Sequence, residues 1–296
     1  MSATSLSDVS VPANAGAGLP VDADHARRFG GIARLYGPGA LARLARARVC
    51  VVGVGGVGSW AVEALARSAV GHLTLIDLDH VSESNINRQI QALEDTLGAA
   101  KVATLAQRIA GINPRCVVTT IEEFVEADNV STLLPAGRFD LVIDAIDSAA
   151  AKVALIAHCH ALAIPLITVG SAGGQRDPTR IRVRDLAHTE QEPLLAKVRK
   201  RLRAEHGFTR NIKRRFGISA VFSEEPLHYP APAAGEDAQG GRTGLHCDGL
   251  GSSVAVTASF GLVAAASALE ILLREDEPSS SSPTASTSPS PRCSGQ

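Results

Sequence analysis

Short apolar runs and longer stretches of helical periodicity alternate along this chain. Residues 48–54 (RVCVVGV) are apolar and β-branched and end in glycine, the pattern of a buried strand. Residues 59–70 (SWAVEALARSAV) carry apolar positions at helical spacing, and residues 72–79 (HLTLIDLD) read as strand again. An amphipathic helix is predicted over residues 99–113, stopped by Pro114. Strands follow at 116–121 and 139–147, a helix at 149–164, and strands at 165–170 and 180–186. Such alternation builds βαβ units. The expected fold is an α/β, Rossmann-like, doubly wound and mainly parallel sheet, with its chemistry at the carboxyl ends of the strands.

The two ends lack this pattern. Residues 1–24 are rich in Ser, Ala, Gly and Val without a period, and are expected to form a mobile arm. Residues 275–296 are dominated by Ser and Pro and are expected to be a disordered tail, with too little apolar surface to offset ordering entropy. One domain over residues 25–274 remains. Of the 296 residues 45% are apolar and only 3% aromatic, so aliphatic side chains and alanine must fill the core. A net charge of −1 argues against coating nucleic acid or membrane with the whole surface. The five cysteines, Cys50, Cys116, Cys159, Cys247 and Cys293, form no Cys-x-x-Cys pair. Neither a zinc ribbon nor a disulfide framework is indicated, and a reducing cytoplasm is the expected compartment. The first residues carry no secretory signal pattern. Residues 249–273 are long and apolar enough to suggest a membrane span, with Glu270 the single charge. Their content of Gly, Ala, Ser and Thr predicts a buried helix across the sheet instead, and no stable membrane insertion.

Gly53, Gly55 and Gly58, with Gly56 as an extra, complete a G-x-G-x-x-G loop between a strand and a helix. Glycines let backbone approach a phosphate, and the helix N-terminus offers unpaired N–H groups. Asp77 ends the next strand, where a ribose hydroxyl would sit. A tight turn that binds nothing is the bland alternative, and the loop alone leaves NAD, FAD and ATP open. The following segment adds Asp79, Asn85, Asn87, Arg88 and Gln89, and Lys101 comes early in the next helix. A dehydrogenase needs only the ribose acid, whereas Arg88 and Lys101 could neutralise a triphosphate and its transition state. Asp147, at the same edge of the sheet, suits a Mg²⁺ ion on triphosphate oxygens. Each of these charges alone could equally be solvated surface.

These motifs resemble the adenylation domains of the ubiquitin-activating-enzyme superfamily. Residues 28–37, 144–159, 170–189 and 221–230 are similar to one branch, the bacterial tRNA threonylcarbamoyladenosine dehydratases. The likeness covers about residues 25–272. It implies an adenylation domain that uses ATP and Mg²⁺ to activate the carboxylate of N6-threonylcarbamoyladenosine in tRNA and close it to a cyclic base. By position it implies Gly53, Gly55, Gly56 and Gly58 at the nucleotide and Asp77 at the ribose. Arg88 and Lys101 would meet the phosphates, Asp147 the Mg²⁺, and Asp79 and Asn85 the same pocket. It further implies a homodimer in which Arg28 or Arg34 reaches the partner's ATP, although the spacing differs from the usual form.

A basic segment around residues 190–216 reads as an insert. From Lys197 to Arg215 it carries nine Lys and Arg against one Glu, and Leu194, Leu195, Val198 and Leu202 mark a helix in its first half. It is either a solvated face or a phosphate-backbone patch for the tRNA anticodon region, with Arg199, Lys200, Arg203, Arg210, Lys213, Arg214 and Arg215 as contacts. Cys247 is the one cysteine in a polar, Gly-rich loop and the one candidate thiol for a carrier-protein relay. Cys50 and Cys159 read as inert core. One rival function is an adenylyltransferase activating the C-terminal glycine of a ubiquitin-like sulfur-carrier protein, which would imply a sulfur-transfer partner. An NAD(P) oxidoreductase and a non-catalytic nucleotide-binding scaffold are the others.

Overall fold

The computed structural model describes residues 23–230 and 250–274. The expected arm (except for its last two residues) and tail, Cys247 and Cys293 lie outside the described residues, as does Gly249. Two helices that periodicity did not reveal come first, α1 (Ala23–Tyr36) and α2 (Ala40–Arg46). Then follow β1 (Arg48–Val52), α3 (Gly58–Arg67), β2 (His72–Ile76), α4 (Lys101–Ile112), β3 (Val117–Ile121) and the one-turn α5 (Val130–Leu133). The chain continues through β4 (Leu141–Asp144), α6 (Ala149–Ala161), β5 (Leu166–Val169), β6 (Ile181–Asp185), α7 (Pro193–Glu205), β7 (Ser219–Ser223) and α8 (Val254–Leu273).

The seven strands form one sheet in the order β3-β2-β1-β4-β5-β7-β6. Every pairing is parallel except β6 with β7, so β6 is an antiparallel edge. The order reverses between β1 and β4, which leaves a crevice at their carboxyl ends where loops part to opposite faces.

Strand alternation separates two cores. Val49, Val51, Leu73, Leu75, Leu141, Ile143, Ile167 and Val221 point to one face, where residues of α3, α4 and α8 cover them. Cys50, Val52, Ile76, Val142, Leu166, Ala220 and Phe222 point to the other, against α5, α6 and α7. The helix α8 is long and apolar enough to cross a membrane by length and composition. Here Val256, Phe260, Ala264, Ala265, Ala268 and Leu269 are buried in the first core. A Cβ on Gly261 would stand 2.4 Å from Val57 O and 2.7 Å from Trp60 Cβ. The absence of a side chain there is what lets α8 cross α3 so closely.

The basic segment is not a peripheral insert. Leu195, Val198 and Leu202 of α7 are fully buried in the second core, so the helix is one of its walls.

Candidate adenylation cleft

The glycine loop folds as the motif requires, but its glycines serve two needs. Gly53 has φ +81°, and a Cβ on it would meet Ala145 O at 2.9 Å. A Cβ on Gly58 would lie 1.8 Å from Gly53 O, an impossible overlap. These two are demanded by the chain itself. Gly55 has only the tip of Gln89 within 4 Å, and Gly56 faces the flexible stem of Arg88. Space beside these two is open to a ligand. The loop is pinned from beneath by a buried amide pair. Gln91 Nε2 donates to Val54 O at 3.0 Å and to Gln89 Oε1 at 3.1 Å.

Asp77 follows β2 and is buried. Its Oδ2 accepts Val54 N–H at 2.7 Å and its Oδ1 accepts Asp79 N–H at 2.9 Å. Burial pushes its carboxyl above the ordinary value. The two backbone N–H groups and Lys101 oppose that shift, and Asp79 adds to it. The carboxylate is thereby fixed in direction at the mouth of the loop. Lys101 opens α4, and its buried ammonium lies 2.7 Å from Asp79 Oδ2. Arg88 leaves the turn after the short 3-10 helix Glu83–Asn85. Its Nη1 donates to Ser84 O at 2.6 Å and to Asn87 Oδ1 at 3.0 Å, and its carbonyl accepts Trp60 Nε1 at 2.9 Å. Asn85 is buried, and its Oδ1 accepts Ser82 N–H at 3.1 Å, so it shapes this helix as well as lining the pocket. Asp147 does not end a strand. The strand β4 stops at Asp144, because the chain must turn into α6, and Asp147 stands exposed in that turn.

Asp77, Asp79, Asn85, Arg88, Lys101 and Asp147, together with Gly53, Gly55 and Gly56, line one open cleft of about 1280 Å³. Gly58 lies behind the loop rather than on the cleft wall. The cleft continues past Asp147 along α6, by Ala150, Ala154, Ala157 and His158, to Leu194, Arg201, Glu205 and His206 on and after α7. Arg28 and Arg34 sit on α1 outside this lining.

The pattern of the ThiF family matches residues 29–290. This chain belongs to the ThiF family. The tRNA threonylcarbamoyladenosine dehydratase of Haemophilus influenzae is 47% identical over 253 residues, covering 85% of this chain and 95% of that protein. The crystal structure of the Escherichia coli tRNA N6-threonylcarbamoyladenosine dehydratase in complex with ATP superposes with a TM-score of 0.78 at 48% identity, over 86% of this chain and 97% of that one. The molybdopterin-synthase adenylyltransferase of Salmonella typhimurium is 39% identical over 122 residues, 41% of this chain and 48% of that protein.

Within this ThiF-family chain the basic segment divides in two. Arg199, half-buried, donates to Thr189 Oγ1, and Arg203 donates to Thr209 O at 3.2 Å while stacking 5.2 Å from the Phe216 ring centre. Arg201 pairs with Glu205 at 2.8 Å. The expectation that Arg199 and Arg203 present charge to a ligand is corrected. Their positions on α7, flanking the buried Val198 and Leu202, turn them inward to fasten helix and loop. Lys197, Lys200, Arg210, Lys213, Arg214 and Arg215 are exposed. The loop that carries the last four is held to the body by Asp185, which accepts Phe216 N–H at 2.9 Å and Gly217 N–H at 2.7 Å, and by the His188 ring on Ile212 O at 2.9 Å.

Cys50 and Cys159 are fully buried. Burial pushes the Cys50 thiol far up and that of Cys159 up to about 12, so neither ionises near neutrality. Sequence reasoning offered Asp144 only as a fallback metal ligand to Asp147, whereas it is fully buried and paired with Lys152, and it missed Lys152 and Glu192, also buried near the Asp147 turn. One signal was present, since Lys152 is the lone cation in an otherwise apolar helical run, AAAKVALIA.

Proposed function

We propose that this protein catalyses the ATP-dependent dehydration of N6-threonylcarbamoyladenosine in tRNA to its cyclic form, in the cytoplasm and as a homodimer. The observation that carries the reading is the continuity of the cleft, from the glycine loop, Arg88, Lys101 and Asp147 to Arg201 and His206 on and after α7. A nucleotide fills only part of it, and the remainder runs to α7, the helix that carries the first half of the basic segment. The relatives that match nearly end to end carry the dehydratase name. The likeness to the sulfur-carrier-type adenylyltransferase covers under half of either chain. That weighs against the sulfur-carrier reading and its sulfur-transfer partner.

The threonyl carboxylate is a poor electrophile. Its oxygen attacks the α-phosphorus of ATP, pyrophosphate leaves, and an acyl adenylate forms. A nucleophilic atom of the same side chain then attacks the acyl carbon. AMP departs with the carboxylate oxygen, so the substrate loses one water overall. Attacker and electrophile share one substrate, so proximity supplies much of the rate. The N-terminus of α3 and the backbone at Gly55 and Gly56 receive phosphate oxygens, and Asp77 accepts ribose hydroxyls on its remaining lone pairs. Arg88 and Lys101 stabilise charge that builds on the phosphates. Among the described residues no group of three or more His, Cys, Asp or Glu forms a metal cage. A single exposed carboxylate with substrate phosphates matches how Mg²⁺ is held in nucleotide sites, and Asp147 would hold it. When bound, the ion neutralises phosphate charge. Arg28 or Arg34 would act on the partner subunit's nucleotide.

Mass analysis of tRNA nucleosides after incubation with ATP and Mg²⁺ tests the reading. A product lighter by one water is expected with the wild-type protein. With Arg88→Ala or Asp147→Asn its formation should slow about 100-fold or more at a melting temperature near wild type. Unchanged nucleosides beside a carrier-protein conjugate would overturn it.

A further inference from the structure

A buried charge cluster lies under the turn that carries Asp147. Lys152 and Asp144 are both fully buried, with Lys152 Nζ 3.0 Å from Asp144 Oδ1. The same ammonium donates to Asp144 O at 3.3 Å and to Thr168 Oγ1 at 3.4 Å. Thr168 Oγ1 donates to Asp144 Oδ2 at 2.7 Å, and Ile146 N–H donates to Asp144 Oδ1 at 3.2 Å. Glu192 belongs to the same buried set. Its Oε1 accepts Ser171 N–H at 2.8 Å, and its Oε2 accepts Leu195 N–H at the start of α7. Burial raises the Glu192 carboxyl above its ordinary value, while those N–H groups and the charge on Lys152 oppose the shift.

A dry ion pair is a poor source of stability, because desolvation consumes most of the attraction and hydrocarbon of equal volume often serves as well. Its placement suggests another role. Asp144 ties down the first half of the turn through Ile146 N–H, and Ser148 Oγ caps α6 by accepting Ala151 N–H, which ties down the second half. Asp147 lies between these two anchors. Glu192 in turn joins the Ser171 loop, which lines the cleft, to the basic helix.

We propose that Lys152 is a positioning residue for adenylation. Through Asp144 and Thr168 it fixes the turn that presents Asp147. The proposal rests on the adenylation reading and deepens it.

Lys152→Met alone would strand the Asp144 charge and lower stability as well as activity. The deciding variant is Lys152→Met with Asp144→Asn, which removes both charges and keeps an acceptor for Ile146 N–H. Full-length protein is compared with wild type in three ways. These are melting temperature, ATP affinity with and without Mg²⁺, and pyrophosphate release with substrate tRNA. The double variant should melt near wild type and bind metal-free ATP as wild type does. The gain in ATP affinity on adding Mg²⁺ should be lost, and pyrophosphate release should slow about 100-fold, as a displacement of about 1 Å can cause. A folded double variant with the wild-type Mg²⁺ gain and rate overturns the proposal. Thr168→Val keeps both charges and removes only the hydroxyl that bridges them. It should slow release several-fold with little change in melting temperature, and an unchanged rate also overturns the proposal, including where the double variant does not fold. A wild-type protein that releases no pyrophosphate would sink the adenylation reading itself, and the Mg²⁺ arm of the binding measurement would still test Lys152.

Discussion

At the glycine-loop end of the cleft Asp77 is gripped by two backbone N–H groups and Lys101 by Asp79. In the basic segment, outside the cleft lining, Arg210, Lys213, Arg214 and Arg215 stand exposed on a loop, while Arg199 and Arg203 bond to neighbouring backbone and side chains. The first region uses buried hydrogen bonds to hold a few charges in fixed directions, as chemistry on a single phosphorus requires. The second offers charge without fixed geometry, which is what the phosphates of a long polyanion need. A count of cations along the sequence cannot distinguish these uses, since Arg199 and Arg210 differ only in where the helix and loop aim them.

The contrast can be broken most severely at the rigid end. Gly58→Ala places a methyl group where Gly53 O already is. A destabilisation of about 3 kcal/mol or more is expected, read as a large drop in melting temperature. Gly55→Ala, with open space around it, should melt near wild type and still lose ATP affinity in a titration. Equal melting of the two variants would show that the loop is more pliable than described.

A middle-sized effect is expected on the basic loop. Changing Arg210, Lys213, Arg214 and Arg215 to Glu should flatten the salt dependence of tRNA binding by about 0.9 in log–log slope for each phosphate no longer neutralised. ATP affinity and melting temperature should hold. Arg199→Glu and Arg203→Glu should instead lower the melting temperature. A quadruple variant with unchanged tRNA affinity would make the loop a solvated surface.

The smallest effect concerns pH. The Asp77 carboxyl is raised in the folded protein by burial. The folded state therefore takes up this proton at a higher pH than the unfolded chain. The ionised form costs stability near neutrality, and that cost is relieved as pH falls through the raised value. Protonation also weakens the group as an acceptor for ribose hydroxyls. ATP affinity should decline on acidification before ordinary carboxylates titrate, near about pH 4. Asp77→Asn should bind ATP more weakly and lack this particular step.

The strand–helix alternation was legible from residue 48 onward because both periods are local. The pairing direction of β6 was not, since alternation in Ile181–Asp185 is the same for parallel and antiparallel neighbours. The strand β7 went unread because SAVFS is short and flanked by loop, and α1 because its Gly30 and Gly31 weaken the helical signal. The cleft residues Asp77, Arg88, Lys101 and Asp147 were legible because strand ends converge on one edge of a parallel sheet. Lys152 was not. A lysine on an apolar helix normally reaches water, and only the partners brought by β4 and β5 make its burial possible.

The close crossing at Gly261 links, in time as well as in space, two segments far apart in sequence. The N-terminal turn of α3 follows the glycine loop, yet its flank and the neighbouring part of the same sheet face are covered only by α8, some two hundred residues later. A chain emerging from the ribosome would have made the glycine loop, Asp77 and Lys101 long before the helix that seats them. The nucleotide site should thus mature as a late event in synthesis, dependent on packing between segments far apart in sequence. Nascent chains arrested before residue 254 would then leave the tunnel with every residue proposed to meet the phosphates present and no competence to retain ATP.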